Sequence, residues 1–423
     1  MQSRIKTVRR ALVVAVVALA GVAPGAGGCS TRPVHVVHVE DQGGASIDEE
    51  LRALVVDIPD GLDTPTPGGA QVVGAFMRMP SGVAVYGDRV FLSFPRWVED
   101  GSMTVAEWVD GRLEPYPSTA HNDIRNGSEA LHSVNGIRID ARGRLWMLDN
   151  GRVNLGPASP RVPKVVVWDI AENREVFRHV FDAEVAPPGS GFLNDIVVST
   201  DHGFAYITES GIGGTPALLV LDITRDRAWR VLDGHASVRP EPDVEMALVD
   251  GVVTIDLGDG PVPWRVAANP IALSVDGRVL YFGAMTARTL WQVPTEVLRD
   301  AGLHDAAREE YVTPFASKEA TDGIVMRSDG ALFLTNVERG GVDLVHPDGV
   351  REAVVTHSSM IFPVAVAAGS EDDVWVTSNQ MHLMPLVRGG VDERTPPYFL
   401  WRAEVSRLAP PPPEDDLGAD DAP

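Results

Sequence analysis

Polar and apolar positions alternate along most of this chain in a unit that repeats. The fullest copy reads Leu131-His-Ser-Val-Asn-Gly-Ile-Arg-Ile-Asp-Ala-Arg-Gly-Arg-Leu-Trp-Met-Leu-Asp149. A polar residue and a turn former lead it, an alternating segment follows, and a polar turn opens into a short apolar run. Alternation with a period of two predicts strands, so each copy is a hairpin. The unit returns at residues 194–208, 269–282 and 322–335, and in weaker form from Ser81 and from Phe362. A second strand–turn–strand motif follows the leading one, clearest at residues 164–179 and 217–232 and fainter at 104–114 and 342–354. Two hairpins make four strands, and six copies predict an all-β chain: a six-bladed β-propeller with four-stranded blades. In the fourth interval, residues 295–300 read as a helical turn inserted before the outer strand. The sixth copy ends near Val405 without a fourth strand of its own. The segment Gln71-Val-Val-Gly-Ala-Phe-Met77 is expected to supply it and so remove a raw sheet edge. Two separate β domains are the simplest alternative, but the even spacing of the lead motifs speaks for one closed array.

The flanks read differently. Arg4, Lys6, Arg9 and Arg10 precede a short apolar run, and Ala26-Gly-Gly-Cys29-Ser30 follows. Residues 1–28 therefore look like a lipoprotein-type signal peptide, with Cys29 as the acylated new N-terminus. The alternative is an ordinary secretory signal cut nearby. Either places the protein outside the cytoplasm, on a membrane surface through its lipid (outer membrane, periplasm or cell surface) or secreted. Residues 29–67 are expected to form a flexible tether, 68–408 the propeller, and 409–423 a disordered, acidic, Pro-rich tail. Cys29 is the chain's one cysteine, which rules out an internal disulfide. There are 36 Lys and Arg against 59 Asp and Glu, a net charge of −23. Nucleic acid is thereby a poor partner, and cationic or neutral small molecules or metal cations suit the charge better.

Closure of the array would gather its lead positions around one axis. Asn135, Asn194, Asn269 and Asp322 share the same register and are the candidate ligand-binding residues. The plain alternative is turn chemistry, since Asn or Asp before Gly or Pro starts turns well. Polar side chains aimed into one channel need a partner, either water or a cation. Calcium takes roughly 6–8 oxygens, and one carboxylate among four side chains predicts weak binding at best. Asp149, Glu209 and Asn336 follow the second strands of their copies and read as solvated loop residues or as the lining of the opposite channel mouth. His132 is a candidate base beside a bound metal, and His382 a fainter one, although a histidine next to a strand is more often structural. Trp146, Trp168, Trp229, Trp264, Trp291 and Trp375 recur near strand centres and should mostly pack between blades, with one or two walling a pocket. The chain shows no nucleophile-elbow serine, phosphate-cradling loop, zinc-ligand spacing or haem attachment site.

These residues resemble the major royal jelly protein/yellow family. The similarity is carried by Val90-Phe-Leu-Ser-Phe-Pro-Arg-Trp97, Ser133-Val-Asn-Gly-Ile137, Leu145-Trp-Met-Leu-Asp-Asn-Gly151, Pro270-Ile-Ala-Leu-Ser274, Leu290-Trp-Gln-Val-Pro-Thr295 and Val374-Trp-Val-Thr-Ser-Asn379. It covers residues 80–404 or so. The resemblance implies an exported six-bladed propeller that binds small ligands at its axial channel. Some insect members bind biogenic amines, and others are linked to pigment formation or nutrition. This domain has no cysteine where insect members carry disulfides, so the insect roles do not carry over. The chain is more distantly similar to gluconolactonase and paraoxonase propellers. By that pattern Asn194, Asn269 and Asp322 match calcium ligands, while Ser81 stands where a glutamate ligand is expected.

Three readings follow. The first is a ligand-binding propeller that captures a small cationic or aromatic molecule. The second is a calcium-dependent lactonase or esterase, and the third a surface scaffold for protein partners. Whether the chain is an enzyme is left open by its residues, and a monomer is expected.

Overall fold

The computed structural model describes residues 47–65, 69–97, 101, 103–153, 161–187, 191–258, 260–369 and 373–405. Cys29, the signal-like segment, most of the tether and the acidic tail lie outside the described residues.

Six four-stranded antiparallel sheets follow one another along the chain. Blade 1 comprises Val83–Tyr86, Arg89–Ser93, Val105–Val109 and Arg112–Pro115. Blade 2 comprises Val134–Ile139, Arg144–Asp149, Lys164–Asp169 and Arg174–Val180. Blade 3 comprises Leu193–Ser199, Phe204–Glu209, Ala217–Asp222 and Arg227–Val231. Blade 4 holds Ala268–Leu273, Val279–Ala284, Thr289–Pro294 and Thr313–Ser317, with short helices Thr295–Arg299 and Asp305–Glu309 before its outer strand, where the helical turn was expected. Blade 5 holds Ile324–Met326, Leu332–Asn336, Gly341–Val345 and Arg351–Thr356.

Blade 6 takes Pro363–Ala368, Asp373–Ser378 and Tyr398–Glu404 from the chain end and its fourth strand, Ala70–Phe76, from the beginning. The closing register runs from Ala70 opposite Ala403 to Phe76 opposite Tyr398. This is the segment that the sequence offered as the missing strand. The innermost strands touch in cyclic order, and the first meets the last.

Burial explains why the repeat reads as it does. The middle strands of a blade are sandwiched between neighbouring blades, so both of their faces are apolar. Ala217–Asp222 is buried at every position, as are the last five residues of Arg144–Asp149. Outer strands such as Arg174–Val180 are mostly half-exposed and mix charge with apolar residues. Trp146, Val165 and Val167 of blade 2 pack on Ile196, Ala205 and Leu219 of blade 3 in one core. Phe333 and Val342 of blade 5 meet Val374 and Trp401 of blade 6 in another.

Part of the stretch expected as tether is folded. Helix Ile47–Leu54 buries Leu51 in the core between blades 6 and 1. Val56 N–H donates to Ala75 O (3.1 Å), and Ile58 and Leu62 pack on the core between blades 5 and 6. The apolar spacing of these residues provides a face that the Pro and Gly clusters around it obscure. Among the described residues no helix is long and apolar enough to cross a membrane.

Two excursions leave the regular array. Between blades 3 and 4 lie two small hairpins, Ala247–Leu248 with Gly251–Val252 and Thr254–Asp256 with Pro261–Pro263. Within blade 6, residues 379–397 loop out before the third strand. The excursions join where Asp256 N–H donates to Val387 O (3.1 Å) and Asp256 bridges Arg388 in parallel fashion.

Candidate functional site

The structure brings the four lead residues together. Asn135, Asn194, Asn269 and Asp322 project from the inner ends of blades 2 to 5 and line one narrow channel with Ser81 of blade 1. All four are 4–8% exposed. Asn135, Asn194 and Asn269 sit within β-bulges, where the pairing register of the innermost strand shifts. A bulge re-aims a side chain, and here it turns an amide toward the axis.

Turn chemistry therefore does not account for the glycines after the lead residues. A Cβ on Gly136 would fall 2.6 Å from Asp195 Oδ1, one on Gly323 2.6 Å from Val364 O, and one on Gly82 2.8 Å from Asn135 O. Glycine stands there because the next blade's backbone or lead segment passes too close for any side chain.

Hydroxyls clasp these junctions. Ser93 Oγ accepts from Gly82 N–H (2.7 Å) and donates to Asn135 O of the next blade (2.6 Å). Thr208 Oγ1 accepts from Asp195 N–H (3.1 Å) and donates to Asn269 O (3.0 Å). Thr377 donates to Ser81 O and so ties blade 6 to blade 1, while Thr335 accepts from the Asp322 and Gly323 N–H groups (3.1 and 3.0 Å). A Ser or Thr near the end of the second strand is a repeating signal that sequence reasoning passed over.

The ring is largely satisfied in its own plane. Ser81 Oγ donates to Asn135 Oδ1 (3.0 Å), Asn135 Nδ2 to Asn194 O (2.9 Å), and Asn194 Nδ2 to Ser210 Oγ (3.1 Å). Asn269 Nδ2 donates to Met285 Sδ (3.8 Å), and Asn269 favours the charged form of the Asp322 carboxyl. Burial pushes the Asp322 carboxyl up to about 8, against the smaller opposing effect of Asn269, so it carries a proton at neutral pH. On the far side of the ring Arg138 closes the channel. Its Nη2 donates to Asp195 Oδ2 (2.6 Å) and to Ile324 O of blade 5 (2.9 Å).

On the near side the ring is the floor of a cavity of about 890 Å³. Trp97, Phe192, Trp264, Met285, Met381 and Met384 form apolar walls. The two excursions complete them through Ile255, Leu257, Leu386 and Val387, with Arg239 and Arg265 also on the lining. Both arginines and Leu257 are exposed, which places them at the mouth. The Trp97 indole N–H is buried in the wall with no hydrogen-bond partner among the described residues. A large apolar cavity with a few convergent polar groups has the character of a small-molecule site.

Other sequence candidates lie elsewhere. His132 lines neither the channel nor the cavity. Its Nε2–H donates to Gly127 O (2.9 Å), and its Nδ1 accepts from Lys164 Nζ (3.2 Å), which also meets Asp149 at 3.1 Å. Burial lowers His132 to about 4, so it is neutral and structural. His382 stacks on Phe362 with ring centroids 5.2 Å apart and is likewise held to about 4 by burial. Asp149, Glu209 and Asn336 are neither solvated nor at a channel mouth. They are buried and cap the loops beyond their strands, as where Glu209 Oε1 accepts from Phe192 N–H (2.6 Å) and Gly211 N–H (2.8 Å). Of the six recurrent tryptophans, Trp264 alone walls the cavity. Trp97, Phe192, Arg239 and Arg265 were not singled out from sequence as cavity residues. For Arg239 and Arg265 the available signal was the interval between Asn194 and Asn269, the longest between lead residues.

The ring does not fit a tightly held calcium ion. It offers one carboxylate, and Asn135 directs its amide N–H at Asn194 oxygens. Among the described residues no group of three His, Cys, Asp or Glu side chains converges on a common point. Amide oxygens with one acid leave a weak site that waters would have to complete.

The Major royal jelly protein family profile matches residues 132–408. "Protein yellow" of Drosophila erecta is 26% identical over 326 residues, which cover 72% of this chain and 58% of that protein. The chain thus spans less than two thirds of the curated relatives it matches. Among solved structures, a gluconolactonase of Xanthomonas campestris aligns with a TM-score of 0.47 at 15% identity, over 79% of this chain and 91% of that one. The calcium-binding protein regucalcin of Agrobacterium tumefaciens aligns with the same score at 14% identity, over 79% and 93%. With the profile spanning blades 2 to 6 and the relatives reaching over most of the propeller, the chain belongs to the major royal jelly protein family.

Proposed function

We propose that this protein captures a small molecule in the capped cavity above the amide ring, while a lipid on Cys29 holds it outside the cytoplasm. The observation that carries the reading is the cavity itself, about 890 Å³ with apolar walls and a floor of Asn135, Asn194, Asn269 and Asp322. A flat apolar body fits between Trp264, Phe192 and the methionines, and hydroxyl or carbonyl groups fit the floor. Apolar burial supplies most of the affinity in such a site, and the few polar groups supply orientation. Hydrolysis of lactones draws less support, because Asp322 is the ring's single carboxyl and Ser81 brings no charge. The test is calorimetric titration with a panel of neutral aromatic amides and alcohols. The expected result is saturable binding of one molecule per chain that Trp264→Ala weakens on the order of tenfold or more, the cost of losing a large apolar contact. A flat titration across the panel, or binding indifferent to Trp264→Ala, would refute the reading.

A further inference from the structure

The cavity's ionisable groups point the other way from the protein's overall charge. The chain carries −23, yet among the described residues lining the cavity only Arg239, Arg265 and Asp322 bear ionisable side chains. Two are permanent cations at the mouth, and the third is a single buried acid in the floor. Most of the described arginines of this acid-rich chain have found carboxylates, as in Arg89–Glu107, Arg225–Asp222 and Arg351–Asp343.

Arg239 and Arg265 have not. The Arg239 side chain makes no hydrogen bond or ion pair with any described residue, and its guanidinium lies over Gly234, whose missing Cβ leaves it room. Arg265 spends one N–H on Pro242 O (2.6 Å) and has no acidic partner among the described residues. Of the acids in the same segment, Asp243, Glu245 and Asp250 are exposed and do not line the cavity, and three others are engaged elsewhere. Glu241 accepts from Thr289 N–H, Asp233 from Arg230, and Asp256 from Gly258 and Gly260 N–H. The Trp97 indole N–H, buried in the wall, is a further donor with no partner among the described residues. A guanidinium is a planar fork matched to a carboxylate.

We propose that the ligand is a small organic anion: a flat apolar body whose carboxylate lies at the mouth with Arg239 and Arg265, and whose far end meets the amide ring. The inference rests on small-molecule capture by this cavity. It replaces the cationic ligand suggested by net charge, because a ligand responds to the groups it touches.

The probes are indole-3-acetate, indole-3-acetamide and tryptamine, which share one ring and differ in charge. Each is titrated calorimetrically into the full chain at low and high salt. At low salt the acid should bind tighter than the amide on the order of tenfold to a hundredfold, as charge-assisted hydrogen bonds allow, and the amine should bind most weakly. High salt should shrink the acid's advantage, since both arginines are exposed. Arg239→Gln with Arg265→Gln should bring the acid down to the amide and leave the amide where it was. Equal binding of acid and amide, or tighter binding of the amine, overturns the anion proposal while small-molecule capture stands. An acid preference that survives in the double variant also overturns it. Failure of all three probes to bind overturns both.

Discussion

Asp322→Asn isolates the one acid of the ring. Its carboxyl is held up at about 8 by burial, against an ordinary 3.8. Between those values the folded protein binds a proton that the unfolded chain has released. Stability from this group is therefore fully present below about pH 4 and is lost as pH rises through 8. At about 1.4 kcal/mol per pH unit the whole window is worth roughly 6 kcal/mol, an upper bound because the adjoining cavity admits water. Asparagine keeps the shape and removes the titration. The variant should match the wild type within about 1 kcal/mol near pH 4, and exceed it by about 2 to 6 kcal/mol near pH 9. Urea unfolding at both pH values, in EDTA, measures this. Lys318, lowered to about 7 by burial, works in the opposite direction, adding stability as pH rises from there. It is present in both proteins and cancels in the difference. A difference that does not grow with pH by at least about 1 kcal/mol would show that Asp322 is hydrated or paired in solution, and the account of the floor would fall.

Three further outcomes test other parts of the structure. Gly136→Ala should cost about 1–3 kcal/mol by thermal or urea unfolding, because its Cβ meets Asp195 and the Asn194 backbone, whereas a pure turn role would make the change nearly harmless. Calcium titration should show no site tighter than about 10⁻⁴ M, and EDTA should leave the melting temperature unchanged, whereas a tight site would restore a metal-centred reading of the ring. Cys29→Ser should move the protein from the detergent phase to the aqueous phase and remove the acyl mass from its N-terminal peptide, whereas an ordinary cleaved signal would leave partitioning unaffected.

The regular part of this protein was readable because it is periodic. A blade cannot bury its faces alone, so each carries the same apolar alternation, and the register of Asn135, Asn194, Asn269 and Asp322 followed from that repetition. The fourth strand of blade 6 was readable for a related reason, since an unpaired edge after Tyr398–Glu404 calls for a partner and Ala70–Phe76 has the right pattern. Gly136 and Gly323 were harder to interpret. Their sequence context fits a turn, and only the approach of the next blade shows why no side chain is tolerated. His132 looked chemical because it is close to Asn135 in sequence, but Lys164 and Asp149 hold its ring in a buried cluster outside the channel. The cavity walls were least legible. The segment from Arg239 to Trp264 repeats nothing else in the chain, and its contact with residues near Val387 depends on closure of the whole ring.

This division between repeat and excursion also bears on energetics. The ring residues bond to one another, and the hydroxyls of Ser93, Thr208 and Thr377 bond blade to blade, so the propeller does not depend on an occupant to satisfy its centre. The cavity's uncommitted donors are instead in its wall and at its exposed mouth, on Trp97, Arg239 and Arg265. An occupant should therefore stabilise the fold by mass action alone, about 2.7 kcal/mol at a hundredfold excess over Kd, and not by rescuing a frustrated core. Ligand-free protein should accordingly fold cooperatively, and the stabilisation gained on binding should track affinity across the three indole probes.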